Sequence, residues 1–370
     1  MLSRFLTRLK TLTSLVGVTG YEQEVIKYLR DEFKMVSDEV IIDPLGNLIA
    51  VKKGTEDGPS LMLTAHADEI GFCVKNILSS GFIQFEKVGN FSDKILAGRA
   101  VWIISNNQKI PGIIGIKSSH LSTAEEKNKI QSVSELYIDL GTSSKEEVEK
   151  LGINIGDRII PQSELFEMSS ANMVCSRALD NRINCAVILE LFHELQGKEF
   201  KGTLYGVITI QEELAYTGGS VVANTVDPDY AIILDTIPSM DTPGVNLELT
   251  NCIQLGKGPA CPLSYGLVGL GNTYIHIHPA VRKIIEESSR EANIDVQYIT
   301  LLQTNYTTDA PMIAKSNKGV PIGTLTVPRR YSHSPHEVAN IRDAVDLIKL
   351  LKVIVKRNGE QKISFLFNEI

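Results

Sequence analysis

The stretch Thr203-Leu-Tyr-Gly-Val-Ile-Thr-Ile210, continued by Gln211-Glu-Glu-Leu214, carries the reading of the fold. Its first part is an apolar run that predicts a buried strand. A strand covered on both faces accepts almost no charge, because an unpaired carboxylate is costly to desolvate. Two adjacent glutamates at its end therefore need an explanation. Side chains alternate along a strand, so Glu212 and Glu213 would face opposite ways and serve different ends. Glu213 would bind a metal ion and Glu212 would handle a proton. The plainer reading is that the strand stops there and both side chains are solvated.

The pattern repeats outward from that strand. Ser60-Leu-Met-Leu-Thr-Ala65 is a second buried run, passing directly into His66-Ala-Asp-Glu-Ile-Gly71. Tyr230-Ala-Ile-Ile-Leu-Asp235 is a third, closed by an acid. Helices are predicted over 180–196, 217–224, 281–292 and 343–356, with a strand over 296–299. Upstream, Phe5, Leu6, Leu9 and Leu12 predict an amphipathic helix over 3–16. Gly17-Val-Thr-Gly20 breaks it, and Thr19 or Gly20 would cap a second helix burying Val25, Ile26, Leu29 and Phe33. Val40–Ile42 and Leu48–Val51 flank Asp43-Pro-Leu-Gly46 as strand, turn and strand. This alternation predicts an α/β fold with a mixed, mostly parallel sheet sandwiched by helices.

Between Phe72 and Glu167 the segments become short, β-branched and separated by turns. A small inserted β-barrel or sandwich is expected there. Residues 1–71 and 168–370 would then form one discontinuous domain, with 72–167 inserted. Inside the insertion, 118–133 is polar and reads as a loop. Ser143–Leu151 reads as a short helix with Ser144 as its N-cap and the charges of Lys145–Lys150 on a solvated face.

The chain has 370 residues, enough for two domains at about 150 residues each. A net charge of −7 argues against nucleic acid as a partner, since there is no basic excess to meet phosphates. The five cysteines are odd in number and form no CxxC pair, which fits reduced thiols in the cytoplasm. Arg4, Arg8 and Lys10 interrupt the apolar start, so no signal peptide is read. No apolar stretch is long enough to span a bilayer, and no membrane association is expected.

Open α/β sheets gather ligands at the carboxyl ends of their strands. His66, Asp68, Glu212, Glu213 and Asp235 fall at such ends. Asp180 sits where a loop meets a helix. His333 lies in Arg330-Tyr-Ser-His-Ser-Pro-His-Glu-Val338, with His336 as its alternative. Two histidines and three carboxylates suit a pair of zinc-like divalent ions about 3.5–4 Å apart. Asp180 would be shared between them, His66 and Asp235 completing one ion and Glu213 and His333 the other. Asp68 would fix the His66 tautomer through its far nitrogen. Glu212 would take a proton from water and pass it to the leaving amine. His276 and His278 share a strand face but have no carboxylate nearby and read as structural. His193 reads as solvated in mid-helix. His120 either reaches toward the site or is a plain loop residue.

Taken in order, Gly17-Val-Thr-Gly-Tyr-Glu-Gln-Glu24, Asp43-Pro-Leu-Gly-Asn47, His66-Ala-Asp-Glu-Ile-Gly71, Ala178-Leu-Asp-Asn-Arg182, Gln211-Glu-Glu213, Gly256-Lys-Gly-Pro259, Thr308-Asp-Ala310 and Tyr331-Ser-His-Ser-Pro335 resemble the M42 family of metallo-aminopeptidases. The resemblance implies a PDZ-like inserted module used for assembly, dimers building a tetrahedral dodecamer, and zinc or cobalt as the metal. It implies metal binding by His66, Asp180, Glu213, Asp235 and His333, with Glu212 as general base and Asp68 beside His66. It is also what favours His333 over His336. Two stretches depart from the pattern. In Leu214-Ala-Tyr-Thr-Gly218, Thr217 stands where the family usually has arginine. Gln303-Thr-Asn-Tyr-Thr307 is bulkier than the usual glycine-rich approach to Thr308-Asp-Ala310. The expected activity is removal of N-terminal residues from peptides. The alternatives are a related metal-dependent hydrolase, such as an aminoacylase or a glucanase, and a non-catalytic assembly protein keeping the fold.

Overall fold

The computed structural model describes residues 1–245, 252–302 and 304–366. Four parallel strands lie side by side at its centre, in the order Lys201–Thr209, Glu56–His66, Tyr230–Pro238 and Ile322–Arg330. Strands covered on both faces read as near-continuous apolar runs, and these four are buried over most of their second halves. Antiparallel strands extend both edges. Leu48–Lys53 and Glu39–Ile42 continue past Lys201–Thr209. Glu337–Asn340, Met173–Ser176 and Phe166–Glu167 continue past Ile322–Arg330. The sheet is therefore mixed, with its parallel part at the centre.

The helix Leu179–Glu194 packs against the central strands, with Leu2–Ser14 and Ile341–Lys356 laid on it. It is buried almost all round, its apolar residues from Cys185 to Leu189 enclosed with the polar ones of its first turns. Its buried Glu190 is met by Arg4, whose Nε is 2.8 Å from Oε1, and by Arg8. A buried charge of this kind must be paired. His193 on the same helix is not simply solvated as expected. It lies against the Arg8 guanidinium, because Leu2–Ser14 covers that end of the helix. Thr217–Val226 and Ala310–Ala314 pack together, against Lys201–Thr209 and Ile322–Arg330 respectively.

The second unit is a closed antiparallel barrel. Its strands follow the order Gly71–Ile77, Ile83–Val88, Tyr137–Asp139, Gln108–Gly115, Ala100–Ser105 and Arg158–Pro161, the last returning to the first. It has a core of its own, in which Phe72 packs edge-on to Phe85 at 5.3 Å and stacks on Phe91 at 4.7 Å. Val16, Val18, Val88 and Ile160 form a small seam of apolar contacts that includes residues of both units. The stretch 118–133 is less of a loop than expected. It holds the short helix Ala124–Asn128, closed by a capping box between Thr123 and Glu126. Ser144 caps Lys145–Lys150 as its sequence suggested. Thr19 and Gly20 do not cap Gln23–Phe33 with a side chain, because the Thr19 hydroxyl is turned to Asp68 instead. Among the described residues, no helix is long and apolar enough to cross a membrane.

Candidate active site

The carboxyl ends of the central strands open into a cavity of about 880 Å³ lined by His66, Asp180, Glu212, Glu213, Asp235 and His333. His66 is the last residue of Glu56–His66, and Asp235 lies three residues before the end of Tyr230–Pro238. Asp180 stands in a non-helical first turn of Leu179–Glu194. His333 follows Ile322–Arg330 in a tight turn, with its own φ at +55°.

The glutamate pair is not at a strand end, as the sequence pattern had suggested. The strand Lys201–Thr209 stops earlier, the chain turns through Gln211 at φ +55°, and Glu212 and Glu213 begin the short helix Glu212–Ala215. They therefore do not point to opposite faces, and both line the one cavity. Asp68 also departs from its expected geometry. The strand ends before it, so it is not on the same strand face as His66. Its backbone oxygen is 3.2 Å from His66 Nδ1 and its Oδ1 is 3.4 Å away. The carboxylate accepts hydrogen bonds from the Thr19 hydroxyl at 2.8 Å and from the N–H groups of Glu212 at 3.0 Å and Glu213 at 3.1 Å.

Asp180 lies between the two histidines. Its Oδ1 is 3.4 Å from His66 Nε2, and its Oδ2 is 3.5 Å from His333 Nε2. His66 Nε2 is also 3.9 Å from Asp235 Oδ1 and 4.0 Å from Glu212 Oε2. His333 Nε2 is 3.4 Å from Glu213 Oε2, while Glu213 Oε1 is buried without a hydrogen-bond partner. His66, Asp180 and Glu213 each offer a ligand atom within 4.8 Å of the others, a grouping able to hold a metal ion.

The electrostatics follow from burial opposed by pairing. Burial pushes the Glu212 carboxyl well up, against the pull of His66. It pushes Glu213 up to about 7, against His333, and raises Asp235 well above its ordinary range. Burial would raise Asp180 too, but Arg329 and the two histidines hold it well below that range. Burial would lower His333, yet Glu213 and Asp180 lift it to about 9. Acids that repel one another beside a pair of imidazoles favour a cation among them.

Two contributors were missed from sequence. Arg329 is buried and its guanidinium touches Asp180, Glu337 and Thr236. The signal was available, since Arg329-Arg330 closes a buried strand just as the glutamates follow theirs. Tyr306 lines the cavity and donates its hydroxyl proton to Thr236 O at 3.0 Å. Asn90, Ser92 and Ile95 come from the loop after the barrel strand Ile83–Val88, and Asn90 O is 3.2 Å from His333 Nδ1. Thr217 begins the helix Thr217–Val226 and does not line the cavity. Asn305, Tyr306 and Thr307 do, whereas Gln303 lies outside the described residues. His276 bonds Ser264 Oγ at 2.6 Å and His278 caps a helix, both away from the cavity. His120 is exposed and His336 does not line the cavity either.

The sequence and the fold resemble known proteins. A family profile described as M42 glutamyl aminopeptidase matches residues 46–350. A putative aminopeptidase of Acetivibrio thermocellus is 36% identical over 343 residues, 93% of this chain and 96% of that one. A solved aminopeptidase from the archaeon Desulfurococcus kamchatkensis superimposes with a TM-score of 0.90 at 31% identity, covering 97% of this chain and 96% of the other. The TET1 peptidase of Pyrococcus horikoshii, described as able to assemble into a tetrahedron or a large octahedral shell, matches at a TM-score of 0.83 and 26% identity over 95% of this chain and 99% of that one. With this match along most of its length and a mixed α/β fold carrying a closed barrel, the chain belongs to the M42 family of peptidases.

Proposed function

We propose that this protein is an aminopeptidase using two divalent metal ions, zinc or cobalt, to hydrolyse the N-terminal peptide bond of peptide substrates in the cytoplasm. The observation that carries this reading is Asp180, with Oδ1 near His66 Nε2 and Oδ2 near His333 Nε2, while His66 also lies near Asp235 and His333 near Glu213. Donor atoms on one tetrahedral zinc lie about 3.3 Å apart, given zinc–nitrogen and zinc–oxygen distances of about 2.0–2.1 Å. The separations of 3.4–3.5 Å between Asp180 and each imidazole, and of 3.4 Å between His333 and Glu213, suit that chemistry. The unpartnered buried Glu213 Oε1 supports it too, since such an atom is costly unless a ligand satisfies it. His66 and Asp235 would hold one ion, His333 and Glu213 the other, and Asp180 both.

When bound, such ions polarise a carbonyl and lower the pKa of water. The chain's own residues do the rest. Glu212 takes a proton from the attacking water as oxygen adds to the peptide carbonyl carbon. It holds that proton until the carbon–nitrogen bond breaks and the leaving amine accepts it. Asp68 holds the backbone of both glutamates in place. The surrounding carboxylates attract the free α-amine that marks an N-terminus.

In this reading the unit at 72–167, with its barrel, serves assembly of the homo-oligomer, up to a tetrahedral dodecamer. Its loop at Asn90–Ile95 also helps wall the cavity. Removing the metal with a chelator and restoring zinc or cobalt tests the activity. Loss and return of aminoacyl-substrate hydrolysis are expected, and hydrolysis that survives full metal removal would overturn the reading.

A further inference from the structure

Two stretches of the M42 pattern, Gly17–Glu24 and Asp43–Asn47, contribute none of the residues discussed above as ligands or proton carriers. Each nevertheless sends one buried side chain to the same place. Four consecutive N–H groups, from Ile210 to Glu213, each donate to a side-chain oxygen. Ile210 N–H donates to Asn47 Oδ1 at 3.1 Å, Gln211 N–H to Glu22 Oε1 at 3.1 Å, and those of Glu212 and Glu213 to Asp68. Asn47 and Asp68 are fully buried and Glu22 is only 4% exposed.

The need for such a clamp is local. The first turn of a helix leaves N–H groups without intrahelical partners. Here the helix has four residues, and its N-cap, Gln211, contributes no side-chain hydrogen bond. Gln211 also sits at positive φ, a conformation disfavoured for a residue with a Cβ. So short a helix cannot hold its own shape. The acceptors are themselves fixed. Asn47 donates to Asp43 Oδ2 at 2.7 Å, and Glu22 Oε1 also accepts the Gly20 N–H at 2.7 Å.

We propose that Glu22 and Asn47 are positioning residues. By accepting the Gln211 and Ile210 N–H groups they complete, with Asp68, a clamp that aims the Glu212 carboxylate at the reacting water. The proposal rests on the aminopeptidase reading for its catalytic consequence, but not for the clamp itself. Glu22 acts through hydrogen-bond acceptance rather than charge. Glutamine, which keeps an oxygen at the same reach, should therefore replace it where alanine cannot.

The test compares Glu22→Ala, Glu22→Gln and Asn47→Ala with the wild type at saturating zinc or cobalt. Glu22→Ala and Asn47→Ala should each lower kcat about 10- to 100-fold with KM within about twofold, since small misplacements of a catalytic group carry losses of that order. Glu22→Gln should recover most of that loss. Hydrogen exchange of the 210–213 amides, read by mass spectrometry, should speed up about tenfold in Glu22→Ala and return toward wild type in Glu22→Gln. If Glu22→Ala does not fold, Glu22→Asp withdraws the oxygen by one methylene and should give the same two changes. Wild-type kcat in Glu22→Ala, an equal loss in Glu22→Gln, or unchanged exchange would overturn the proposal. An inactive wild type would defeat the aminopeptidase reading alone, and the exchange experiment would still decide the clamp.

Discussion

Asp180 and Glu212 carry the most distinctive consequences at the scale of single residues. Glu212→Gln keeps the side chain's size and removes its ability to take a proton. It should retain both metal ions while kcat falls about 10²- to 10⁴-fold, the range associated with general acid–base groups. Metal content by plasma emission and turnover on one aminoacyl substrate check this together, and unchanged turnover would remove Glu212 from the mechanism. Asp180→Ala should do the reverse, lowering metal content first, because one carboxylate faces both imidazoles. A variant that still binds about two ions per chain would contradict the shared role expected of a bridging acid in a two-metal site. Arg329 helps to keep Asp180 ionised, since its guanidinium lies directly against the carboxylate. His66, Glu212, Glu213 and Asp235 were legible because charge next to apolar runs has few structural excuses, whereas His333 was preferred to His336 only through the family resemblance. The orientation of Asp68 was not legible, since whether a strand ends at His66 or two residues later is decided by pairing with neighbouring strands rather than by local pattern.

Among elements, the central strands were the most legible, because enclosure on both faces forces continuous apolar sequence. The helix Glu212–Ala215 was not legible at all. Nothing periodic marks four residues, and its acceptors come from positions 47 and 68 and from the loop before Gln23–Phe33. The barrel was readable as short turn-separated strands, but its closure depends on Arg158–Pro161 pairing back to Gly71–Ile77 across a long separation in sequence. Phe72 sits at the centre of that barrel with 1% of its surface exposed. Phe72→Ala should cost about 3–5 kcal/mol, as deletion of a buried ring typically does. A denaturant titration that left the midpoint unchanged would show that the barrel core tolerates the loss. The loops that wall the cavity make a different prediction. Apart from the acids, the two histidines and Arg329, its lining among the described residues is neutral, with Asn90, Ser92, Asn305, Thr307 and Tyr331 prominent. An unpaired charge buried there is unfavourable. Neutral aminoacyl substrates should therefore exceed glutamyl and lysyl ones in kcat/KM by about tenfold or more, and a panel of such substrates reads this directly. Faster cleavage of the glutamyl substrate would contradict it.

For the whole molecule, the α/β body and the barrel meet at the cavity, where the loop carrying Asn90 reaches His333. The unit proposed for assembly and the cavity proposed for catalysis are thus joined by one loop. If 72–167 serves assembly, light scattering should report a particle several times heavier than the 40.7 kDa chain, up to twelve copies. A particle of single-chain mass would remove that role. The central claim, however, concerns the cations, and one measurement addresses it most directly: metal stoichiometry and aminopeptidase activity followed together through chelation and stepwise return of zinc or cobalt. The account predicts that activity disappears with the metal and returns as bound metal approaches about two ions per chain. Full activity in thoroughly metal-free protein, or no binding when metal is returned, would contradict it.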